Sequence, residues 1–323
     1  MNTSDRLLLN GNEAVAHAAL QAGIALGTGY PGTPSTEILE TLSAIGGRAQ
    51  WAPNEKVALE VGIGAAFGNA RAVVTMKHVG VNVAADPLFT VAETGTSGGL
   101  VIVVADDPGM ASSQNEQDSR RYAVAAGVPM LEPSDSQEAY DLLGRAFEIS
   151  ERWKTAVFLR LTTRISHSKS IVVTHPFDLP GATSHYERDI PGRVMVPAYA
   201  RPAHRRLRQK LEEIRQWNES CDLSPVLDGG DELGLIADGV AAMHAREAAP
   251  DAKLLKLGLT YPLPIDKLRE FAGSVKRCVV IEEGDPVLAD ACRAAGIDVE
   301  GKAEMYRFGE LNVGRVQRII AGD

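Results

Sequence analysis

Three short segments carry residue types that could do chemistry together. The first is a Gly/Pro-rich loop, Gly29-Tyr30-Pro31-Gly32-Thr33-Pro34-Ser35. The second is Asn54-Glu55-Lys56, which opens a helix rich in Ala and Gly, and the third is Thr75-Met76-Lys77-His78-Val79-Gly80-Val81-Asn82, at the end of a β-rich run. Asn54 can cap the helix, which puts Glu55 in its first turn, where the helix dipole favours a negative charge. A carboxylate so placed could hold and protonate a buried heteroaromatic ring; it could equally do no more than complement the dipole. Glu60, one turn on, lies on another face of the helix, so the two glutamates cannot point into one cleft. His78 reads either as an acid/base or carboxylate-holding group, or as a structural imidazole bonded to a carbonyl. Gln114, Asn115 and Asp118 lie in a polar, loop-like stretch that could line the approach to a substrate site or a subunit interface, or merely cap a loop.

Two other patterns are decoys. Gly27-x-Gly29-x-x-Gly32 matches the dinucleotide-binding spacing, but Pro31 sits where a helix should already be running. No strand ending in an acidic residue follows at the expected distance, so a nicotinamide or flavin site is not read from it. Gly62-x-Gly64-x-x-x-Gly68 has the wrong spacing and falls mid-helix, where glycines cost about 1 kcal/mol each relative to alanine unless close packing offsets it. Cys221, Cys278 and Cys292 form no C-x-x-C pair and read as reduced bystanders rather than disulfides or cluster ligands.

The elements that must position the three segments follow an α/β rhythm. Residues Arg71 to Met76, Leu100 to Ala105 and Ala156 to Leu161 are compact apolar β-runs of the kind buried in parallel sheets. Helices are expected over Asn12 to Ala22, over Thr33 to Leu42 with Pro34 in its first turn, and after the cap Ser134-Asp135-Ser136-Gln137. A short strand is expected at Ile24 to Leu26. The expected fold is a doubly wound parallel-sheet α/β domain over 1–178. Residues 179–225 form a linker: prolines 180, 191, 197 and 202 mark an extended connection, and an amphipathic helix follows with Leu207, Leu211 and Ile214 inward and a basic face of Arg205, Arg206, Arg208, Lys210 and Arg215, read as solvated. A smaller α/β domain covers 226–323.

With 323 residues the chain is long enough for two substantial cores. A net charge of −9 disfavours nucleic acid or an anionic membrane as partner. The first residues show no signal pattern, and no apolar run approaches a membrane span, so a cytoplasmic location is expected.

The ordered set GYPGTPSTE, WAPNEKVALEVGIGAA, TMKHVGVNVAADP, VIVVADDPGMASSQNEQDSR and LEPSDSQEAYD, continued by LKLGLTYPLP, VVIEEGDP and GELN, strongly resembles the thiamine-diphosphate-dependent 2-oxoacid:ferredoxin oxidoreductases, and among them the indolepyruvate:ferredoxin oxidoreductase large subunit. The resemblance implies a pyrimidine-binding first domain and a transketolase-C-terminal-like second one. It implies that Glu55 is the cofactor-activating acid: bonded to the ring N1′, it favours the 4′-imino tautomer that removes the C2 proton. By the same resemblance Gly32, Thr33, Lys77, His78, Val79, Gly80 and Asn82 line the cofactor, and Thr33, His78, Asp107, Gln114 and Asn115 face the substrate. Pyruvate-specific relatives carry a clamping arginine near Asp106-Asp107; its absence leans toward aryl pyruvates such as indolepyruvate, oxidised to the acyl-CoA.

The Gly-Asp-Gly stretch that would bind the diphosphate through Mg²⁺ is absent, as is a ferredoxin-type cysteine run. No metal ligands are assigned to this chain. The expectation is therefore one subunit of a split enzyme, with Mg²⁺ and [4Fe-4S] clusters on partner chains. It would share thiamine diphosphate with the subunit carrying the diphosphate domain, work with CoA, a 2-oxoacid and ferredoxin or another electron acceptor, and assemble as a hetero-oligomer such as α2β2. Alone it should lack activity; a truncated chain would read the same, although the natural-looking end favours a true terminus. A non-oxidative thiamine-dependent decarboxylase subunit and a non-catalytic assembly subunit are the alternatives.

Overall fold

The computed structural model describes residues 5–181 and 183–323. Among these the strands run β1 (Arg6–Asn10), β2 (Leu26–Gly29), β3 (Ala49–Trp51), β4 (Ala72–Lys77), β5 (Leu100–Asp106), β6 (Met130–Leu131), β7 (Ala156–Thr162), β8 (Lys169–Val173), β9 (Val226–Leu227), β10 (Gly230–Asp238), β11 (Ala252–Leu257), β12 (Leu259–Tyr261) and β13 (Arg277–Ile281). The larger sheet has the order β12-β6-β7-β5-β4-β2-β3 and the smaller β13-β10-β11-β9, while β1 pairs antiparallel with β8. All pairs of the larger sheet are parallel except β12 with β6.

Every residue of β4, β5 and β7 is buried, as their unbroken apolar runs require when helices cover both faces. One face packs on the helices Gly11–Gln21 and Ser136–Trp153, around Val15, Tyr140 and Phe147. The other packs on Glu55–Phe67, Ala85–Thr94 and Ser119–Ala126, around Leu59, Leu88 and Phe158. The helix Pro197–Asn218 adds Leu207 and Leu211 to that second core, each contributing roughly 1.5–3 kcal/mol by leaving water. The result is the doubly wound α/β architecture expected from the sequence.

Several local expectations are corrected. The first sheet strand begins at Leu26, not Ile24, because its pairing with β4 starts at Leu26 opposite Ala72. Pro34 precedes its helix rather than starting it: the amide and hydroxyl of Ser35 both donate to the Gly32 carbonyl at 2.9 Å, closing a turn, and the helix is Thr36–Ala44. Pro197 and Pro202 are helical rather than extended. Pro197 sits in the first turn, where no amide is needed, and the bond that Pro202 cannot make falls near the exposed N-terminal end. Finally, β12 belongs to the larger sheet although it follows strands of the smaller one, so the two sheets do not part at residue 226.

No helix among the described residues is long and apolar enough to cross a membrane. The glycines of the helix Glu55–Phe67 divide by position. A Cβ on Gly62 would sit 2.4 Å from Val74 Cγ2 in β4, whereas one on Gly64 would meet nothing within 4 Å. Gly62→Ala should therefore destabilise the chain by about 1–3 kcal/mol through overpacking. Gly64→Ala should stabilise it by roughly 0.4–1 kcal/mol. Urea unfolding of the two variants checks the opposite signs.

Candidate functional site

β2, β4, β5 and β7 all deliver their C-terminal ends to one edge of the larger sheet, the edge where open α/β sheets bind ligands. The Gly/Pro loop leaves β2 there, the short helix His78–Val83 leaves β4, and the loop 107–118 leaves β5. Glu55 reaches the same edge. Asn54 is fully extended (φ −165°) and its side chain accepts from the Val57 amide at 3.0 Å, which starts the helix at Glu55. The Glu55 side chain is buried to 8% exposure and lies across the Cα of Gly80, where a Cβ would come within 2.6 Å of both Cγ and Oε1. Among the described residues nothing donates a hydrogen bond to this carboxylate. Glu60 is exposed, on the other face, as its spacing required.

The remaining sequence-derived candidates separate into two groups. Gly32 lies on the Lys77 side chain, where a Cβ would stand 3.2 Å from that of Lys77; Thr33 is exposed beside it and Val79 is half-buried. Gln114 and Asn115 are exposed and line a cleft of about 500 Å³, with Met110 on the same wall and Arg307 and Phe308 opposite. The others are occupied elsewhere. Asp107 is not free to meet a substrate: it is buried and accepts from the amides of Ala111 (3.2 Å) and Ser112 (2.8 Å) and from the hydroxyls of Ser113 (2.5 Å) and Thr163 (2.9 Å). Burial acts to raise its pKa, but these bonds together hold it below the ordinary value. His78 is wholly buried; its Nε2 donates to the Asn115 carbonyl at 3.0 Å and so anchors the loop, while its Nδ1 has no partner among the described residues. The Lys77 ammonium donates to the Ser112 carbonyl at 2.9 Å, and the Asn82 side chain accepts from the Tyr122 hydroxyl.

Sequence reasoning missed a buried ionic cluster behind the cleft. Arg120 donates to Asp118 (2.6 Å), Asp238 (3.0 Å) and Glu282 (2.6 Å), and to the carbonyls of Glu283 and Asp285. Arg160 in β7 donates to Asp106 (2.7 Å) and to Glu132. Asp238 and Glu282 stand at the ends of β10 and β13, so the cluster ties the smaller sheet to the larger one. Burial works to raise the Asp118 pKa, yet Arg120 and Arg160 hold it well below the usual carboxylate range. Asp238 goes the other way: burial first, then repulsion from Glu132 and Glu282, outweighs the arginines and raises it to about 7.

Comparison with known proteins fixes the lineage. The family model described as pyruvate flavodoxin/ferredoxin oxidoreductase, thiamine diphosphate-binding, matches residues 17–215. The chain belongs to this family. The indolepyruvate oxidoreductase subunit IorA of Methanothermobacter thermautotrophicus is 42% identical over 327 residues, covering 95% of this chain and 53% of that protein. The IorA of Archaeoglobus fulgidus is 41% identical, covering 98% and 54%. This chain thus spans about half the length of the curated relatives it matches. A solved 2-oxoglutarate:ferredoxin oxidoreductase from Magnetococcus marinus, with 2-oxoglutarate, coenzyme A and succinyl-CoA bound, superposes with a TM-score of 0.82 at 16% identity, over 98% of this chain and 65% of that one, which shows a shared fold.

The residues of the oxidoreductase fold fit the family's cofactor on one observation: an almost buried carboxylate without a protein partner, at the ligand-binding edge, beside a glycine that leaves room for it. No group of three or more His, Cys, Asp or Glu among the described residues is arranged to hold a metal ion.

The ionic cluster sets a pH dependence. The folded chain holds the Asp238 proton up to about pH 7, whereas the unfolded chain releases it near the ordinary aspartate value of 3.8. Unfolding therefore releases a proton between those limits, and stability falls as pH rises through that window. Asp118 has the opposite sign, its contribution being lost on acidification. In Asp238→Asn the urea midpoint should decline less between about pH 5 and pH 7 than it does in the native chain; an unchanged slope would contradict the raised value.

Proposed function

We propose that this chain is the subunit of a thiamine-diphosphate-dependent 2-oxoacid:acceptor oxidoreductase that contributes the ring-activating acid, Glu55, to a site shared with another polypeptide or a further region. The observation that carries this reading is the free, almost buried Glu55 carboxylate inside the span matched by the family model. Exposed apolar side chains at the C-terminal ends of β2, of β3 and of the helix His78–Val83, namely Tyr30, Trp51 and Val83, support a partner that covers this edge. The substrate is an aryl pyruvate such as indolepyruvate, in line with the names of the 39–42% identical relatives. The product is the acyl-CoA and ferredoxin or a similar carrier takes the electrons. Mg²⁺ and the diphosphate grip, and the [4Fe-4S] clusters, lie outside the residues of this chain.

Bound thiamine diphosphate supplies the nucleophilic carbon that cleaves the bond between the keto and carboxyl carbons of a 2-oxoacid. The chain does the rest through position. Glu55 would hold and exchange a proton at a ring nitrogen of the cofactor, its place in the first helical turn fixed by the Asn54 cap. Gly32 lies on Lys77, and with Thr33 and Val79 it would form the wall against which the ring is held. Gln114 and Asn115 present amides to the cleft, and His78 and Asp107 serve it indirectly by fixing the loop that carries those amides.

Glu55→Gln keeps the shape and removes the exchangeable acid. In the assembled enzyme, thiamine diphosphate affinity should stay within a few-fold while turnover falls by about 10²–10⁴. Calorimetry for the cofactor and a low-potential dye assay with an aryl pyruvate read the two quantities. Near-normal turnover would remove Glu55 from this role.

A further inference from the structure

Gly80 is an unusual choice for its place. It lies in the short helix His78–Val83 with an ordinary helical φ, and its carbonyl accepts the Ala84 amide at 2.9 Å. Nothing in the backbone conformation therefore calls for glycine, and alanine is the better helix former. What calls for glycine is space. A Cβ on Gly80 would stand 2.6 Å from Glu55 Cγ, 2.6 Å from Oε1 and 2.8 Å from Cδ, where ordinary contacts are 3.4–4 Å. Every one of these nearest atoms belongs to Glu55. A side chain end is free to swing, so the cost of adding the methyl group falls on the position of the carboxylate rather than on the fold.

We infer that Gly80 is a positioning residue: its bare Cα is the surface that sets where the Glu55 carboxylate points, and it acts through Glu55 rather than by contact with a ligand. The inference rests on the reading of Glu55 given above. It changes the part expected of Gly80, from lining a cofactor to seating the acid that serves it. Glu55 sits at the start of one helix and Gly80 inside the next, so the register between the helices Glu55–Phe67 and His78–Val83 is transmitted to the acid. A displacement of a catalytic group by about 1 Å costs on the order of 100-fold in rate, and relief of the Gly80→Ala overlap demands a shift of that order.

The test is a cycle of Gly80→Ala and Glu55→Ala, singly and together, in the assembled oxidoreductase, with thermal unfolding of the chain as a readout that does not involve turnover. Gly80→Ala should lower kcat by on the order of 100-fold, with little change in KM, while its Tm stays at or above that of the native chain. In the Glu55→Ala background the same change should leave the residual rate within about twofold, because two changes acting through one group are not additive. Wild-type kcat in Gly80→Ala would overturn the inference. So would a further loss in the Glu55→Ala background, which would mean that Gly80 meets the ligand directly. A lowered Tm in Gly80→Ala would assign the glycine to the fold instead. The proposed function fails separately, if Glu55→Ala alone turns over normally.

Discussion

Two buried guanidinium groups hold this molecule in its working shape. Arg120 and Arg160 belong to the larger sheet and its helices, while Asp238 and Glu282 end strands of the smaller one. Removing such charges from water is costly, and the return depends on good geometry and on filling every donor and acceptor. Glu282 meets that demand by also accepting the amides of Leu288 and Ala289 at the start of the next helix, and Lys302 donates to its carbonyl. A cluster of this kind tolerates one relative placement of the two sheets. It also reaches the loop 107–118 at both ends, through Asp106 and Asp118.

From that loop the constraint passes to the ligand-binding edge. Lys77 and His78, at the end of β4, hold the Ser112 and Asn115 carbonyls, and Asp107 gathers the amides and hydroxyls between them. On the far side the loop touches the smaller unit, where a Cβ on Gly109 would lie 2.7 Å from the Cα of Gly309. Both glycines have positive φ, so the two segments meet backbone to backbone in conformations that side chains rarely adopt. The exposed amides of Gln114 and Asn115 are therefore carried on a segment whose backbone is fixed from three directions.

Much of this was legible in advance. The apolar runs of β4, β5 and β7 announced a buried parallel sheet, and the Asn54 and Asp135 caps placed two helix starts. The first-turn position of Glu55 followed from the cap, and the opposite exposure of Glu60 from helical spacing. What escaped depends on partners remote in sequence. The bonds of Asp107 arise only when residues 111–113 fold back on it and Thr163 arrives from the end of β7. Asp118 read as a loop residue because Arg120 and Arg160, which give it meaning, are ordinary arginines until the fold closes. Three residues cannot show a strand period, and so β12 was invisible. Pro202 by itself marks an extended connection, although a helix whose first turns lie in solvent tolerates it.

The placement of β12 has a temporal consequence. Met130 and Leu131 form the last parallel strand on one side of the larger sheet, and the backbone groups on its outer side are paired by Leu259 and Tyr261. The Asn218 amide, at the end of the long helix, braces that segment by donating to the carbonyls of Leu259 and Pro262. During translation the β6 side of the sheet is thus left open until residue 261 has cleared the ribosome. An open margin is a template for pairing with another nascent chain, so the ribosome must deliver some 130 further residues before this side is covered.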